Sequence, residues 1–326
     1  MPRFDFEPAV LRAYRPVVGE PADFDDFWAR TLTESRSLSR PPELTAVDAS
    51  LALVEVADLE FSGFGGDRVR GWVLRPAGVA APLPAVVEFV GYGGGRGLPH
   101  EHLAWANAGY VHVVMDTRGQ GSAWGAGGVT SDPHGSTPAV PGFMTRGITD
   151  PVDYYYRRVF TDAVLLVEAV RGLPGVDPGR VTVSGGSQGG GITIAVAGLV
   201  DGLFAAMPEV PFLCHFERAV GLTDAMPYGE IVRYLAVHRD MVDQTFATLS
   251  YFDGVNFAKR ASAPALFSVG LIDPVCPPST VYAARNHWAG GATAAGIVEY
   301  AFNEHEAGRG YQWERQAPWL AYQLSA

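Results

Sequence analysis

Cysteine is scarce in this chain. Its 326 residues include two cysteines, Cys214 and Cys276. A disulfide framework needs several paired cysteines, and a thiolate zinc site needs more sulfur ligands than this chain supplies. We therefore expect both to be free thiols, and we predict no metal site.

Positive charge is also in short supply. The chain has 24 lysine and arginine residues against 35 aspartate and glutamate residues, and its single lysine is Lys259. No basic run is longer than two residues, as at Arg157–Arg158, and the formal net charge is -11. Proteins that bind nucleic acid neutralise phosphates with clustered basic residues, and anionic membranes attract polybasic segments. The composition therefore argues against nucleic acid and membrane surfaces as partners.

Long apolar runs are missing as well. No stretch approaches the roughly 18 uninterrupted apolar residues that a membrane span requires. The N-terminal sequence MPRFDFEPAV carries acidic side chains where a secretory signal carries an apolar core. These absences predict a cytoplasmic protein.

The chain nevertheless has ample material for a large core, because 48% of its residues are hydrophobic and 18% are charged. The first two predicted strands, 51–61 and 68–75, are expected to form an antiparallel pair. Short β-branched runs then alternate with segments of helical apolar spacing, which is typical of a mostly parallel sheet covered by helices on both faces. The predicted strands are 51–61, 68–75, 84–90, 109–116, 180–186, 204–210, 264–270 and 296–302, and the predicted helices are 24–34, 99–107, 157–172, 188–200, 277–288 and 311–323.

One interval breaks this alternation. Between the runs 204–210 and 264–270 lie several short amphipathic pieces, more than a simple crossover between parallel strands requires. We interpret residues 212–260 as a helical insertion that caps the sheet. The prediction is one α/β domain over 1–326 that contains this insertion.

The sequence Gly185-Gly186-Ser187-Gln188-Gly189 matches the pattern G-x-S-x-G. So short a pattern also occurs by chance, and a glycine-rich turn with a passenger serine is the alternative interpretation. Here the pattern follows a predicted strand and precedes a predicted helix of small residues, which is the setting that exposes a serine hydroxyl on a sharp turn. We therefore predict Ser187 as a nucleophile.

A serine nucleophile needs a histidine to take its proton and a carboxylate to orient that histidine. In hydrolases of this kind the acid and then the histidine follow the serine, on loops after late strands. Asp273 follows the run 264–270 and His305 follows the run 296–302, so we predict this pair. Asp273 could instead cap the helix predicted from residue 277. Of the remaining histidines after Ser187, His215 and His238 lie in the interval 212–260, and His287, near the end of a predicted helix, is predicted to be structural.

Acyl transfer also requires N–H donors for the oxyanion of the tetrahedral intermediate. The Gln188 N–H follows the serine directly, and a second donor is predicted in the glycine-rich loop GYGGG at 91–95. A phosphate cradle is the alternative for this loop, but the loop lacks the lysine and the Ser/Thr that end a P-loop.

Several motifs, taken together and in order, resemble the acetyl xylan esterase / cephalosporin C deacetylase family, carbohydrate esterase family 7 of the α/β-hydrolase superfamily. They are PADFDDFW at 21–28, GYGGG at 91–95, RGQG at 118–121, GFMTRGITDP at 142–151, YYYRRVFTDA at 154–163, GGSQGGG at 185–191, DPVCPPSTVYAARN at 273–286 and HE at 305–306. The resemblance covers nearly the whole chain.

This resemblance implies an α/β-hydrolase fold, with Ser187, Asp273 and His305 as the catalytic triad and the N–H groups of Tyr92 and Gln188 as the oxyanion hole. It implies deacetylation of small acetylated carbohydrates such as xylo-oligosaccharides, and of cephalosporin C-type esters, without a cofactor. It also implies an intracellular homo-oligomer, a hexamer with inward-facing active sites.

The motif RGQG contributes no chemistry that the sequence reveals. We predict structural roles for Arg118 and Gln120, beneath the site, and we name Tyr92, Trp124 and Pro227 as candidate walls of the substrate pocket. A lipase or peptidase on the same fold is the alternative enzyme, because a fold does not fix the substrate. A non-catalytic ligand-binding protein is the alternative from another class.

Overall fold

One nine-stranded sheet runs through the computed structural model, which describes residues 4–135 and 137–325. Its strands are β1 Glu43–Val47, β2 Val54–Ser62, β3 Arg68–Pro76, β4 Leu83–Phe89, β5 Val111–Met115, β6 Val176–Gly186, β7 Ala205–Glu209, β8 Ala265–Gly270 and β9 Ala295–Tyr300. The spatial order is β1-β2-β3-β5-β4-β6-β7-β8-β9. The pairs β1–β2, β2–β3 and β3–β5 are antiparallel, and the other pairs are parallel.

Helices cover both faces of this sheet. They are α1 Pro8–Ala13, α2 Phe24–Ser37, α3 Leu103–Asn107, α4 Tyr155–Arg171, α5 Gln188–Leu199, α6 Phe216–Leu222, α7 Tyr228–Val237, α8 Val242–Ser250, α9 Gly254–Ala258, α10 Pro278–His287, α11 Gly291–Ala294 and α12 Gly310–Ser325. The largest core cluster includes side chains of α2, α4, α5, α9 and α10 on one face, while α3 and α12 contribute to clusters on the other. Among the described residues, no helix is both long and apolar enough to cross a bilayer.

The central strands are buried on both faces, as their β-branched runs predict. Every residue of β5 and of β8 is buried, and alternate side chains of β4 belong to different core clusters. Such strands need apolar side chains at successive positions, because no face meets water. The predicted mostly parallel α/β architecture is confirmed.

Some predicted boundaries were wrong. The strand predicted over 51–61 begins at Val54, and the helix predicted over 99–107 is a 3-10 turn at Pro99–Glu101 followed by α3. Three elements, β1, α1 and the short α11, were not predicted at all. Residues of β1 are exposed apart from the half-buried Val47, so this edge strand lacks the apolar alternation that marks a strand.

The strand order places two loops side by side. β4 lies between β5 and β6 in the sheet. The chain therefore passes from β4 to its neighbour β5 on one side, and later forms β6 on the opposite side of β4. In open α/β sheets, ligands bind in the crevice at such a switch point, outside the carboxyl ends of the strands. The glycine-rich loop after β4 and the turn at Ser187 after β6 meet at this crevice.

The segment between β7 and β8 contains four helices. Of these, α9 packs against α5 and α10 in the helix layer, whereas α7 carries Glu230 to the loop that follows β4. The segment interpreted as an insertion, 212–260, thus reaches both the core and the crevice.

Arg118 lies at the centre of a buried ion-pair cluster beneath the crevice. Its guanidinium donates to Asp162 of α4 at 2.6 and 2.7 Å and to Asp67 of the β2–β3 turn at 2.8 Å. Burial alone would lower the pKa of Arg118, but the neighbouring carboxylates raise it instead, so the group stays charged. The cluster therefore ties the loop after β5 to α4 and to the antiparallel end of the sheet, in agreement with the structural role predicted for Arg118.

We expect Arg118→Met to destabilise the fold strongly. The substitution leaves Asp162 buried without its cation, which costs about 3–5 kcal/mol of the free energy of unfolding. Arg36→Met is the matched control, because Arg36 pairs with Glu168 on the surface, where an ion pair contributes about 1 kcal/mol or less. Urea denaturation of both variants measures the difference. Similar losses in the two variants would contradict this account of the cluster.

Candidate active site

Ser187 occupies a sharp turn between β6 and α5. Its backbone has φ 56° and ψ -117°, in a region that residues with a side chain rarely adopt. The Ser187 N–H donates to the carbonyl of Glu209 at 2.9 Å, and the Ser187 carbonyl accepts from the N–H of Phe212 at 2.9 Å. Neighbouring backbone from the end of β7 thus holds the serine in its strained conformation.

Gly189, at the end of the serine motif, is required for steric reasons. A Cβ on Gly189 would lie 2.0 Å from the carbonyl oxygen of Phe89, at the end of β4. The first turn of α5 therefore packs directly on the β4 backbone, and this position requires glycine. The strand–turn–helix context predicted for the motif is confirmed.

Asp273 and His305 come together next to this turn. The His305 Nδ1 lies 2.8 Å from Asp273 Oδ2, while Asp273 Oδ1 accepts the N–H groups of Val275 at 2.8 Å and Cys276 at 2.9 Å. Asp273 is fully buried, and its carboxylate is fixed from both sides. The alternative role as a helix cap is wrong, because α10 begins at Pro278 with Pro277 as its N-cap.

The Cys276 thiol lies beside these groups. Its Sγ lies within 4.8 Å of ligand atoms of Asp273 and His305. Burial, together with the Asp273 charge, raises the pKa of Cys276 well above its usual value, although the neighbouring Ser187 side chain lowers it. The thiol is therefore neutral near pH 7. The sequence predicted Cys276 only as a free thiol and gave it no place in the site.

Asp273, Cys276 and His305 also form the one group in the described part of the chain that could hold a metal ion. Both carboxylate oxygens of Asp273 are already hydrogen-bonded, one to two backbone N–H groups and the other to His305. An ion would have to displace the histidine bond. The arrangement fits a carboxylate that orients a histidine better than it fits a metal site.

Two backbone N–H groups near the serine turn are the candidate oxyanion donors. Gln188 is the first residue of α5, so its N–H has no partner within the helix. Tyr92 lies in the loop after β4. Within the described residues, neither the Gln188 nor the Tyr92 N–H donates a hydrogen bond.

Gln120 joins the two loops that carry these donors. Its Oε1 accepts the N–H of Gly93 at 2.7 Å, and its Nε2 donates to Gln188 Oε1 at 2.8 Å. The Gln188 side chain is further held by the Tyr156 hydroxyl at 2.9 Å and by the carbonyl of Val90 at 3.1 Å. The structural role predicted for Gln120 thus takes a specific form, which is a bridge between the two loops.

The three candidate wall residues have different surroundings. The Tyr92 hydroxyl donates to Glu230 Oε1 at 2.6 Å, and burial followed by the Glu230 charge raises the pKa of Tyr92, so the phenol stays neutral. Trp124 is half exposed, lies over the glycine-rich loop, and donates from Nε1 to the Tyr92 carbonyl at 2.7 Å. Pro227 is buried at the N-cap of α7, three residues before Glu230. No local sequence signal pointed to Glu230.

The other histidines after Ser187 have contacts of their own. His215 Nε2 lies 3.2 Å from the Tyr14 hydroxyl, and burial lowers the pKa of His215 to about 4. His287 Nδ1 bonds the carbonyl of Ala283 at 2.8 Å, and the His238 ring stacks on Tyr234 at 4.3 Å.

Comparison with known proteins gives a consistent result. The family model described as acetyl xylan esterase (AXE1) matches residues 1–323. The structure of an acetyl xylan esterase from Paenibacillus sp. R4 is 36% identical with a TM-score of 0.91, over 97% of this chain and 99% of that chain. Acetyl xylan esterase 1 from Thermoanaerobacterium sp. JW/SL YS485 is 34% identical with a TM-score of 0.89, over 98% and 99% of the two chains.

Two further matches have lower sequence identity. Acetyl esterase Axe7A from Xylanibacter ruminicola is 26% identical over 293 residues, and the match covers 86% of this chain but 62% of that protein. A puromycin-hydrolyzing peptidase from Mycobacterium tuberculosis shares the fold alone, at 19% identity and a TM-score of 0.61, with 85% of this chain and 40% of that chain covered.

The sheet order, the serine turn and these matches agree with one another, and they confirm the α/β-hydrolase fold. The chain belongs to the acetyl xylan esterase (AXE1) family and is a carboxylic ester hydrolase.

Proposed function

We propose that this protein is a serine esterase that removes acetyl groups from small acetylated carbohydrates through an acetyl-Ser187 intermediate. The observation that carries the proposal is the His305–Asp273 pair beside Cys276, whose thiol also neighbours the Ser187 side chain on its strained turn. Two N–H groups without an acceptor in the described chain add to it. Each part has one step to perform.

In the first half-reaction, the Ser187 Oγ attacks the acetyl carbonyl carbon, and its proton passes to His305 Nε2. Asp273 holds the other ring nitrogen and stabilises the imidazolium that forms. The N–H groups of Tyr92 and Gln188 stabilise the oxyanion of the tetrahedral intermediate. Collapse breaks the ester C–O bond, His305 returns the proton to the leaving oxygen, and the sugar alcohol departs.

In the second half-reaction, water attacks the carbonyl carbon of acetyl-Ser187 while His305 Nε2 takes one water proton. The same two N–H groups stabilise the second oxyanion. Collapse breaks the bond between the acetyl carbon and Ser187 Oγ, which regains its proton from His305, and acetate leaves. The net reaction consumes one ester and one water and yields one acid and one alcohol, without a cofactor.

The relatives favour acetyl as the acyl group. Two solved structures that match this chain over nearly their whole lengths are named acetyl xylan esterases. Cephalosporin C-type esters present the same acetyl carbonyl on a small alcohol, so we include them among the substrates. The peptidases in the comparison share the fold alone, which argues against peptide hydrolysis. A non-catalytic role is the weaker alternative, because the triad side chains are all present and His305 and Asp273 are bonded.

On the family resemblance we further propose a cytoplasmic homo-oligomer, a hexamer whose sites face a shared interior. Such an assembly would admit small esters and exclude polymers before any contact with Ser187. The segment 212–260 supports a restricted entrance, because α7 within it contacts the loop that carries Tyr92.

We expect Ser187→Ala to abolish turnover while the fold stays intact. The hydroxyl is the attacking atom, so hydrolysis of p-nitrophenyl acetate should fall by about 10⁴-fold or more. His305→Ala should be similarly severe. His287→Ala is the matched control and should retain activity, because His287 bonds the carbonyl of Ala283 in its own helix. Residual activity of Ser187→Ala within tenfold of the wild type would refute the triad.

We expect Gln120→Leu to lower kcat by at least about 10-fold and to leave KM nearly unchanged. Loss of a single oxyanion donor costs about 10²–10³ in kcat in other enzymes, and here the donors would be misaligned rather than removed. Gln244→Leu is the control, because Gln244 is bonded to the carbonyl of Thr149 at the surface. Equal kcat values in the two variants would show that the bridge does not serve the oxyanion hole.

We expect kcat/KM to fall from acetyl to octanoyl esters, and from xylo-oligosaccharide acetates to polymeric acetylated xylan. A small acyl pocket discriminates by roughly 1–3 kcal/mol for one methylene and rejects a long chain by steric overlap. Assays of the four substrates test selection by acyl length and by polymer size, and light scattering measures the native mass. A monomer that cleaves octanoate and polymeric xylan as readily as small acetates would contradict the proposed selectivity and the proposed assembly.

A further inference from the structure

A carboxylate from α7 reaches the loop that supplies one of the proposed oxyanion donors. Glu230 is 5% exposed, and its Oε1 accepts the Tyr92 hydroxyl at 2.6 Å across 138 positions of sequence. Its Oε2 accepts the N–H of Met144 at 3.0 Å. Glu230 therefore joins three separate parts of the chain, which are α7, the loop after β4 and the loop before α4.

The carboxylate has little freedom to move. The Phe143 N–H donates to the Tyr92 hydroxyl at 2.6 Å, so the phenol oxygen is bonded on two sides. Gly142 has φ +128°, and a Cβ there would lie 2.2 Å from both carboxylate oxygens of Glu230. The chain at 142–144 thus wraps closely around the Glu230–Tyr92 pair.

The position of Glu230 is costly by itself. Burial raises the pKa of Glu230 above its usual range, and the hydrogen bonds from Tyr92 and from backbone N–H groups lower it. A buried carboxylate is tolerated when several donors point at it, but an apolar side chain would fill the same space without that penalty. The carboxylate provides acceptors for two donors, the Tyr92 hydroxyl and the Met144 N–H, and an apolar side chain would leave both without this partner.

Backbone bonds hold the rest of this loop. The Gly91 carbonyl accepts the N–H of Gly94 at 3.1 Å, the Tyr92 carbonyl accepts Trp124 Nε1, and the Gly93 N–H donates to Gln120. These bonds fix the peptides around Tyr92, and the phenol fixes the residue from its side-chain end. The direction of the Tyr92 N–H depends on both.

We infer that Glu230 is a positioning residue for the oxyanion hole: it fixes the Tyr92 side chain and so aims the Tyr92 N–H at the developing oxyanion. The inference rests on the proposed esterase function and deepens it, because it makes the segment between β7 and β8 part of the catalytic geometry. A donor aimed at the oxyanion acts in the transition state and contributes little to substrate binding.

The test compares Glu230→Gln and Tyr92→Phe with the wild type. The amide of glutamine presents one acceptor and one donor, so it loses one of the two bonds of the carboxylate while keeping its shape. Both variants should lower kcat by about 10-fold or more with KM within about threefold. The affinity for a trifluoromethyl ketone, which mimics the tetrahedral intermediate, should fall by the same factor as kcat/KM. The double variant should be no worse than the more severe single one.

Glu217→Gln is the matched control, because Glu217 is an exposed acid of α6 in the same segment. It should leave kcat, KM and ketone affinity unchanged. The melting temperature of each variant, measured alongside, separates loss of folding from loss of alignment. If Glu230→Gln does not fold, Tyr92→Phe decides the question by the same readouts.

Two results would overturn the inference while leaving the esterase proposal intact. One is an unchanged kcat in both variants. The other is a loss carried by KM, with the ratio of ketone affinity to substrate affinity unchanged, which indicates a purely structural role. If the wild type hydrolyses no acetyl ester, the proposed function itself fails, and the two failures are thereby distinguished.

Discussion

A serine held at φ 56° and ψ -117° costs the backbone about 1–3 kcal/mol, and neighbouring strands must offset that cost. The end of β7 does so through the bonds that Glu209 and Phe212 make with the serine peptides. Close packing of Gly189 on the end of β4 completes the support. The parallel centre of the sheet is therefore needed to keep this turn in place, since three adjacent strands meet there. The direction of the Ser187 hydroxyl is set by this backbone support.

Buried polar contacts join the loop after β4 to the start of α5, which carry the two proposed oxyanion donors. Gln120 bonds the Gly93 N–H and the Gln188 side chain, while Arg118, two residues earlier, anchors the same loop to α4. Buried polar networks stabilise a single arrangement when every group has a partner, and they are costly when one partner is missing. The motif RGQG thus has a structural role, with its arginine anchoring the loop to α4 and its glutamine bonding the Gly93 N–H and the Gln188 side chain.

The sequence was informative where burial and chain order leave a local signal. Strands β2–β9 show as β-branched runs, and the order serine, acid, histidine singled out Asp273 and His305 from the other candidates. The edge strand β1 was missed because exposed strands have no apolar period. The bonds of Gln120 and Glu230, and the place of Cys276 near Ser187, were not predicted because they join distant positions; Glu230 and Tyr92 are 138 residues apart. Local patterns cannot report such pairs, which only the tertiary fold brings together.

The segment between β7 and β8 contacts both halves of the site. Its Glu230 bonds the loop of the Tyr92 donor, and its Thr223 hydroxyl bonds the carbonyl of Pro274, which directly follows Asp273. If this segment restricts the entrance as proposed, substrate access and transition-state stabilisation are coupled through it. A change that widens the entrance would then also shift the groups proposed to orient the N–H donor and the acid. Under this proposal, an exchange of the segment that alters acyl or alcohol specificity must preserve the contacts of Glu230 and Thr223.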